Sequence, residues 1–437
     1  KVADYTLQPL EPQKLDPWSQ AIDVQRTGTS STMLPFEEIE YQGSEAEAAA
    51  AADGVLLKGW GWRSFERQIE LRAAHCADVW TTPASECSPP TARPGHSRHE
   101  YGLAVDFSDG TAAIGLLQSQ DRTVTGVKTR TKEGYGEITG KAVILACGGF
   151  ESNQQWRVRY LGVGWDLCRV RGTRHNMGEG IQAALEIGAK PYGNWSSCHA
   201  CEWDISAPPY GDRWVLDNFQ KHSYPLGIMV NTDCERFVDE GADYRNLTYA
   251  KYGREIMAQP NRTAIQIFDQ QTIHRLRDEY RIKEVTKAKA DTIEELAEQL
   301  DLDPAKLAAT VSEYNDACQG GDYNPSILDG VGTKGIEPPK TNWALPINQP
   351  PYEAYVCTTG ITFTFGGLQI NTKGEVQDMT DQSIPGLYAA GELVGGLFYE
   401  NYPGGTGLMS GSVFGKLAGE SAAAYVGTRA KVAEPAE

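Results

Sequence analysis

The sequence predicts an α/β fold in which one discontinuous domain of strands and helices carries an inserted α+β segment. Strand patterns that end in glycine occur early and late: Val143–Ala146 runs into Gly148-Gly149, and Gly386–Ala390 runs into Gly391. The 437 residues also exceed the roughly 250–300 at which a single core stops growing. We therefore predict a main domain formed by residues 1–115, 116–194 and 346–437, with the insert at 195–345.

The strands and helices of the first half follow from local signals. Gly54–Lys58 reads as a strand and Ser64–Ala77 as a helix, although residues 1–115 otherwise carry little regular pattern. After Asp121, apolar runs separated by a glycine turn predict strands up to Gly149. Glu179–Ile187 has the spacing of an amphipathic helix, entered at Gly178 and ended by Gly188.

The insert and the last segment are predicted in the same way. Thr292 with Glu295 forms a capping box for one helix, and Asp303-Pro304 begins the next, which runs to about Cys318. Residues 319–351 are rich in Gly, Pro and Asn and predict a connecting arm. The remaining predicted elements are strands at Gly360–Phe365, Leu368–Asn371 and Gly386–Ala390, and a helix at Gly407–Val426.

Composition excludes several classes of protein. Forty basic against 58 acidic residues give a net charge of -18, which argues against nucleic acid as a generic partner. No stretch approaches the roughly 18 apolar residues of a membrane span. The first residues lack the charged and apolar regions of a secretory signal, and the nine cysteines lack disulfide-framework spacing. These features predict a cytoplasmic protein.

Three glycine-rich elements carry the chemistry. They are ILACGGF (Ile144–Phe150), GLYAAGELVGG (Gly386–Gly396) and YPGGTGLMSGSVFGKLAG (Tyr402–Gly419). Glycines allow a backbone to approach a flat or phosphorylated ligand, and a helix that starts in such a loop presents free N–H groups. In this setting, the Glu392 carboxylate is suited to bind sugar hydroxyls.

With RGTRHNMGEGIQAALEIGA, CERFVDEGADYR and GITFTFGGLQI, these elements resemble the FAD-dependent fumarate reductase and succinate dehydrogenase flavoprotein family. The resemblance covers roughly residues 120–427 and is closest to the tricarballylate dehydrogenase branch, supported by Trp343–Pro346 and Glu240–Pro260. It implies a Rossmann-like FAD domain of the glutathione-reductase type and an inserted capping domain. The implied FAD-binding residues are Ala146, Gly148, Gly149, Gly391, Glu392, Gly405, Thr406, Gly407 and Leu408.

The same resemblance implies a reaction and residues for it. Hydride passes between a substrate carbon and flavin N5, and a side chain handles the proton on the neighbouring carbon. The implied substrate is a small polycarboxylate of the tricarballylate or cis-aconitate type, with an electron acceptor or donor that no motif identifies. Carboxylates are assigned to Arg171, Arg174, His199 and Thr364. Catalysis is assigned to His199 and to Arg245 or Tyr402, which would handle the proton.

Several alternatives stay open. His199 also fits a core histidine, Arg245 a surface salt bridge, and Arg171 and Arg174 a solvated loop. The Cys198-His199-Ala200-Cys201 run has no second pair at zinc-site spacing, so no metal is predicted. Phe363 and Tyr402 depart from the fumarate reductase pattern, and Tyr402 resembles the ketosteroid dehydrogenases, which keeps a ketone desaturase as an alternative function.

The N-terminal dinucleotide fingerprint of the family is incomplete. The nearest match has Gly59 and Gly61 after the predicted strand, but Ser64 stands at the third glycine position. The first 115 residues are therefore predicted to be a divergent or incomplete part of the FAD domain. Truncation, a misassembled gene model and genuine loss remain open, and a non-catalytic relative of the flavoproteins remains a third functional reading.

Overall fold

The computed structural model describes residues 112–432, with side chains to residue 428. The predicted strand at Gly54–Lys58, the helix at Ser64–Ala77 and the turn with Gly59 and Gly61 lie outside the described residues. The strands are β1 (Ala112–Gln118), β2 (Val124–Thr131), β3 (Gly134–Thr139), β4 (Val143–Leu145), β5 (Arg169–Val170), β6 (Pro191–Tyr192), β7 (Cys198–Asp204), β8 (Ile228–Asn231), β9 (Ala264–Phe268), β10 (Lys287–Ala290), β11 (Tyr352–Thr364), β12 (Gly367–Leu368), β13 (Glu375–Gln377) and β14 (Ser383–Ala389).

The helices are α1 (Gln154–Trp156), α2 (Glu179–Glu186), α3 (Arg245–Met257), α4 (Ile293–Gln299), α5 (Pro304–Ala317) and α6 (Thr406–Val432). A π-helical turn at Arg157–Leu161 follows α1, and short 3-10 turns connect several other elements. No helix of the described residues combines the length and the apolar character that a membrane crossing requires.

One set of strands joins the two ends of the described chain. β4 pairs in parallel with β14, so that Val143 lies opposite Leu387, and β14 also pairs with β13. A separate antiparallel sheet has the order β1-β2-β3. Their shared core includes Val124, Ile181 and Leu387. The carboxyl ends of β4 and β14 therefore meet at one sheet edge, because parallel neighbours end on the same side.

A second sheet is built mainly from the middle of the chain. Its order is β10-β11-β9-β8, and β7 and β5 also pair with β11. Helices α4 and α5 share a core with this sheet that includes Ile265, Leu296 and Leu307. The predicted caps are confirmed, since the Thr292 and Asp303 side chains accept hydrogen bonds from the first turns of α4 and α5.

The strand β11 differs most from expectation. It begins at Tyr352 rather than Gly360, directly after Pro350-Pro351, and pairs along its length with four other strands. Because neighbours cover both of its faces, its first half lacks the alternation that marks a half-exposed strand. Most of its pairing partners lie in the predicted insert, whose boundary at 345 stays a prediction. The predicted Leu368–Asn371 strand is shorter in the structure and ends at Leu368.

Candidate active site

The three glycine-rich elements converge at the edge where β4 and β14 end. The Ala390 backbone N–H donates to the Leu145 carbonyl at 2.9 Å, which joins the ends of the two strands. A Cβ added to Gly411 in α6 would lie 3.9 Å from the Gly391 Cα, so the final helix begins against the same edge. The predicted FAD-binding residues at positions 146–149, 391–392 and 405–408 thus belong to one region.

This edge has backbone features that suit a bound dinucleotide. Gly391 and Gly405 have φ of +81° and +88°, and a Cβ on either would meet no described atom within 4 Å. The backbone is therefore turned toward open space at the positions where L side chains are strained. Helix α6 starts here at Thr406, with Leu408 and Met409 65% and 59% exposed. Glycine turns and a helix N-terminus are features that would suit the binding of FAD at this edge.

The Glu392 carboxylate is held beneath the glycine turn. It accepts hydrogen bonds from the Thr364 backbone N–H at 2.8 Å and the Thr364 hydroxyl at 3.2 Å. Glu151 lies beside it, and burial together with the neighbouring Glu392 charge raises the pKa of Glu151 to about 10. Burial also raises the pKa of Glu392. Two carboxyls in one buried site cannot both ionise at neutral pH, so this pair retains a proton. The sequence did not single out Glu151, and Thr364 is buried against this pair.

An aromatic cluster lies next to the glycine loop. The Tyr402 ring contacts the rings of His199, Phe363 and Phe398 at centroid distances of 4.7, 5.5 and 4.7 Å. Its hydroxyl accepts a hydrogen bond of 2.8 Å from the Gly407 backbone N–H. Burial raises the pKa of Tyr402. His199 is buried in the same cluster, and burial with the nearby Arg171 charge lowers the pKa of His199 to about 3, so its ring is neutral at physiological pH.

The two predicted carboxylate clamps, Arg171 and Arg174, have different surroundings. Arg171 donates two hydrogen bonds to Asp217, at 2.5 and 2.7 Å, which occupies the guanidinium in this structure. Arg174 is exposed, and its guanidinium lies 5.4 Å from the Tyr210 ring centre. A clamp formed by both residues would require Arg171 to exchange Asp217 for the substrate.

A cavity of about 340 Å³ has three arginines and a histidine in its lining. It is lined by Arg245, Arg275, Arg277 and His222, with Asn246 at its wall. The Arg245 guanidinium forms no ion pair with any described side chain and lies 5.6 Å from the Tyr249 ring centre. The sequence singled out only Arg245 of these. Arg275 and Arg277 belong to the short basic run HRLR (His274–Arg277), a signal that could have found them.

The cavity is connected to the glycine loop by main-chain contacts. The Gly404 N–H donates to the Asn246 carbonyl at 2.8 Å, and the Asn401 amide donates to the Leu247 carbonyl at 2.6 Å. Because Asn246 also lines the cavity, the cavity arginines and the glycine turn of the predicted cofactor region share a wall. Within residues 112–432 no group of three His, Cys, Asp or Glu side chains is arranged to hold a metal ion.

This arrangement defines a protein that binds a flavin dinucleotide on an α/β fold. The chain belongs to the FAD binding domain family, whose profile matches residues 11–408. The assignment to the fumarate reductase and succinate dehydrogenase flavoprotein family, with FAD as the cofactor, is confirmed. The tricarballylate branch stays a prediction.

The chain is similar to known reductases and dehydrogenases. It is 30% identical over 324 residues to the probable fumarate reductase Ifc3 of Shewanella frigidimarina, covering 74% of this chain and 51% of the relative. It is 29% identical over 313 residues to a 3-oxosteroid 1-dehydrogenase of Mycobacterium tuberculosis, covering 66% and 54%. The open conformation of a flavocytochrome c3 fumarate reductase matches with a TM-score of 0.57 and 27% identity, over 77% of this chain and 58% of that one. The chain spans about half the length of these curated relatives.

Proposed function

We propose that this protein is an FAD-dependent oxidoreductase that adds or removes hydrogen across a CH–CH bond of a small polycarboxylate, with tricarballylate or cis-aconitate as the first choice. The cavity with its three arginines is the observation that carries this proposal. Guanidinium groups bind carboxylates bidentately, and a substrate with several carboxylates needs several such groups. FAD bound at the glycine edge would supply or accept the hydride at flavin N5.

The positive charge at the cavity supports the proposal, because it offsets the repulsion that the net negative charge of the chain would exert on an anionic substrate. A protein with a net charge of -18 repels an anionic substrate at long range. Binding therefore depends on a local concentration of cations, which Arg245, Arg275 and Arg277 provide, although Arg277 also pairs with Glu279 at 2.6 Å. Arg245 has no ion pair to break among the described side chains, so it can engage a carboxylate directly. The prediction that Arg245 or Tyr402 transfers the proton of the neighbouring substrate carbon remains part of the proposal.

A ketone desaturase is the second candidate. Tyr402 stands among Phe363, Phe398 and His199, an environment that suits an apolar ring and places a phenol within reach of a carbonyl. Burial and the Gly407 N–H act on this hydroxyl in opposite directions, and burial has the larger effect on its pKa. A substrate with a hydrophobic ring system would use this cluster rather than the arginine cavity.

The reaction of the bound flavin separates these functions. The full chain is purified, its visible spectrum is recorded with and without added FAD, and the flavin is reduced anaerobically. Under the proposal, cis-aconitate reoxidises the reduced flavin. Tricarballylate, added to a separate sample of the oxidised protein, reduces the flavin. A flavin that responds only to cyclic ketones would favour the second candidate, and a protein with no flavin absorbance even after FAD addition would support the non-catalytic reading.

Arg245 provides the matched test. The Arg245→Ala change removes a charged hydrogen bond to the substrate, and a loss of about 2–3 kcal/mol corresponds to a roughly 30–150-fold lower kcat/KM. Arg130→Ala is the control, because Arg130 lies on β2 and its guanidinium is 6.0 Å from the Tyr135 ring centre, in a different sheet. Equal effects of the two substitutions would contradict the assignment of the cavity as the substrate site.

A further inference from the structure

One pair of ionisable side chains behind the cavity lacks the partners that buried polar groups normally have. Glu202 on β7 is fully buried, and neither carboxylate oxygen has a hydrogen-bond partner among the described residues. His222 is 1% exposed, and neither ring nitrogen has one. The Glu202 Oε2 and His222 Nε2 atoms are 3.8 Å apart. Buried polar groups without partners are rare and call for a specific explanation.

Other buried carboxylates near this pair have hydrogen-bond and ion-pair partners. Asp204, two residues further along β7, accepts hydrogen bonds from the Ser206 and Thr286 hydroxyls at 2.9 and 2.8 Å and pairs with Lys221 at 3.4 Å. Glu240 is bound by Arg236 at 2.5 Å. The unsatisfied state of Glu202 is thus a local property of its position beside His222, which itself lines the cavity.

We propose that Glu202 and His222 form a proton-holding pair at the inner wall of the Arg245 cavity, in which His222 exchanges a proton with the substrate and Glu202 stores it. This inference rests on the proposed function, and it assigns the proton transfer to His222 in place of Arg245 or Tyr402. The 3.8 Å separation is longer than a hydrogen bond, but catalytic hydrogen bonds are often long before the substrate binds. A small approach, or one bridging water, would connect the two groups.

The electrostatic surroundings keep both members neutral. Burial raises the pKa of Glu202 well above its usual range, and the Arg245 and Arg171 charges oppose this only partly. Burial, with the same two arginines, lowers the pKa of His222. The other titratable groups that face Glu202 are Tyr224, Tyr252, Tyr280, Cys201 and Cys357. Those that face His222 are His199, Arg277 and Tyr249.

A relay through the two ring nitrogens balances the reaction. In the reducing direction, one alkene carbon gains the hydride from reduced FAD, and the neighbouring carbon forms a C–H bond with the proton from His222 Nδ1. As that N–H bond breaks, Nε2 takes the Glu202 proton, so the imidazole stays neutral and Glu202 becomes a carboxylate. The Arg245 and Arg171 charges stabilise this carboxylate until Nε2 returns its proton to Glu202 and a solvent proton restores the Nδ1–H bond. The dehydrogenating direction runs the same steps in reverse.

Infrared spectroscopy tests the stored proton without turnover. At neutral pH the full chain with bound FAD is expected to show a carbonyl stretch of a protonated buried carboxyl that is absent from Glu202→Gln. Glu353→Gln is the matched control, because Glu353 is a buried glutamate on β11 that is already bound by Lys289 at 3.2 Å and by Tyr355. A Glu202→Gln spectrum that matches the wild type would overturn the proposal.

Rapid-mixing kinetics test the transfer itself. His222→Gln is expected to slow flavin reoxidation by cis-aconitate roughly 10²–10⁴-fold, the range of general acid–base catalysis. In the wild type, the rate should fall as pH rises through the raised Glu202 pKa, and Glu202→Gln should remove this fall. The same substitution should reduce the solvent isotope effect on the rate. Glu202→Asp should restore part of the pH dependence and part of the isotope effect. Flavin absorbance and melting temperature serve as folding controls.

The kinetic outcomes separate the two proposals. If Glu202→Gln and His222→Gln both keep the wild-type rate and pH profile with a polycarboxylate, the proton pair is refuted while the proposed function stands. If the wild-type flavin responds to no polycarboxylate, the proposed function fails. The transfer role of the pair fails with it, and the infrared band then reports only on the stored proton.

Discussion

The Gly149→Ala substitution tests the packing beneath the cofactor edge. A Cβ at Gly149 would overlap the Thr364 hydroxyl and the Glu392 carboxylate, which cannot both move without breaking the Thr364–Glu392 hydrogen bonds. Overpacking costs about 1–3 kcal/mol, and a disturbed hydrogen bond to a charged group costs about 1.5–3 kcal/mol more. We therefore expect the free energy of unfolding to fall by about 3–5 kcal/mol, and the FAD affinity to fall at least tenfold.

Urea unfolding monitored by circular dichroism and an FAD titration measure the two effects. Gly419→Ala is the matched control, because a Cβ at this position in α6 would meet no described atom within 4 Å. The same change of residue there should raise stability by about 0.5–1 kcal/mol, since alanine is the better helix former. A Gly149→Ala protein within 0.5 kcal/mol of wild type, or a destabilised Gly419→Ala protein, would refute the packing argument.

Three further predictions follow from the hydrogen bonds and pKa shifts of the site and its supporting turns. His199 should stay neutral in an NMR titration from pH 5 to 8, because its pKa is lowered to about 3, and a titration near the usual value of about 6.5 would contradict its burial. Hydrogen bonds from Thr380 lower the pKa of Asp378 to about 2, so its carboxylate stabilises the fold above the unfolded pKa near 3.9 and loses that effect as pH falls toward 2. In urea unfolding, Asp378→Asn should accordingly have a lower free energy of unfolding than the wild type at pH 7, and this difference should narrow toward pH 2. A difference that stays constant with pH would argue against the stabilising role of the Asp378 carboxylate. Tyr402→Phe should lower the free energy of unfolding by about 1 kcal/mol, because the Gly407 N–H loses its acceptor; an unchanged urea midpoint would disprove this contact.

Local signals were enough to predict α2, α4, α5 and α6 and the glycine edge, whereas α3 was not predicted. Asp303 followed by Pro304 begins α5 because the cap and the proline act within one turn, and Gly188 follows the last turn of α2 for a similarly local reason. The family resemblance identified the loop that begins α6. The start of β11 at Tyr352 was not predictable in this way, because both faces of the strand are buried there and its sequence lacks the alternation of a half-exposed strand.

The residues of the candidate site also fall into two groups: those that a local motif reveals and those that only the folded structure reveals. Arg245 was found through a short motif, whereas its neighbours in the cavity, Arg275 and Arg277, come from a separate segment of the chain. Glu202 and His222 carry no motif, and their significance appears only when their missing hydrogen-bond partners are examined in the folded structure. Glu151 likewise becomes notable only through its position beside Glu392. Sequence patterns report local order, but electrostatic coupling depends on which distant segments the fold places together.

The strand β11 forms a structural connection between the two halves of the site. Its body forms the centre of the sheet that supports the cavity residues, and its last residue, Thr364, holds Glu392 at the glycine turn. A ligand that displaces this strand changes the geometry at both ends, since a paired strand transmits a shift along its hydrogen-bonded ladder. If an anion in the cavity raises the affinity for FAD by some factor, FAD must raise the affinity for that anion by the same factor. Reciprocal titrations would measure that coupling as one free energy.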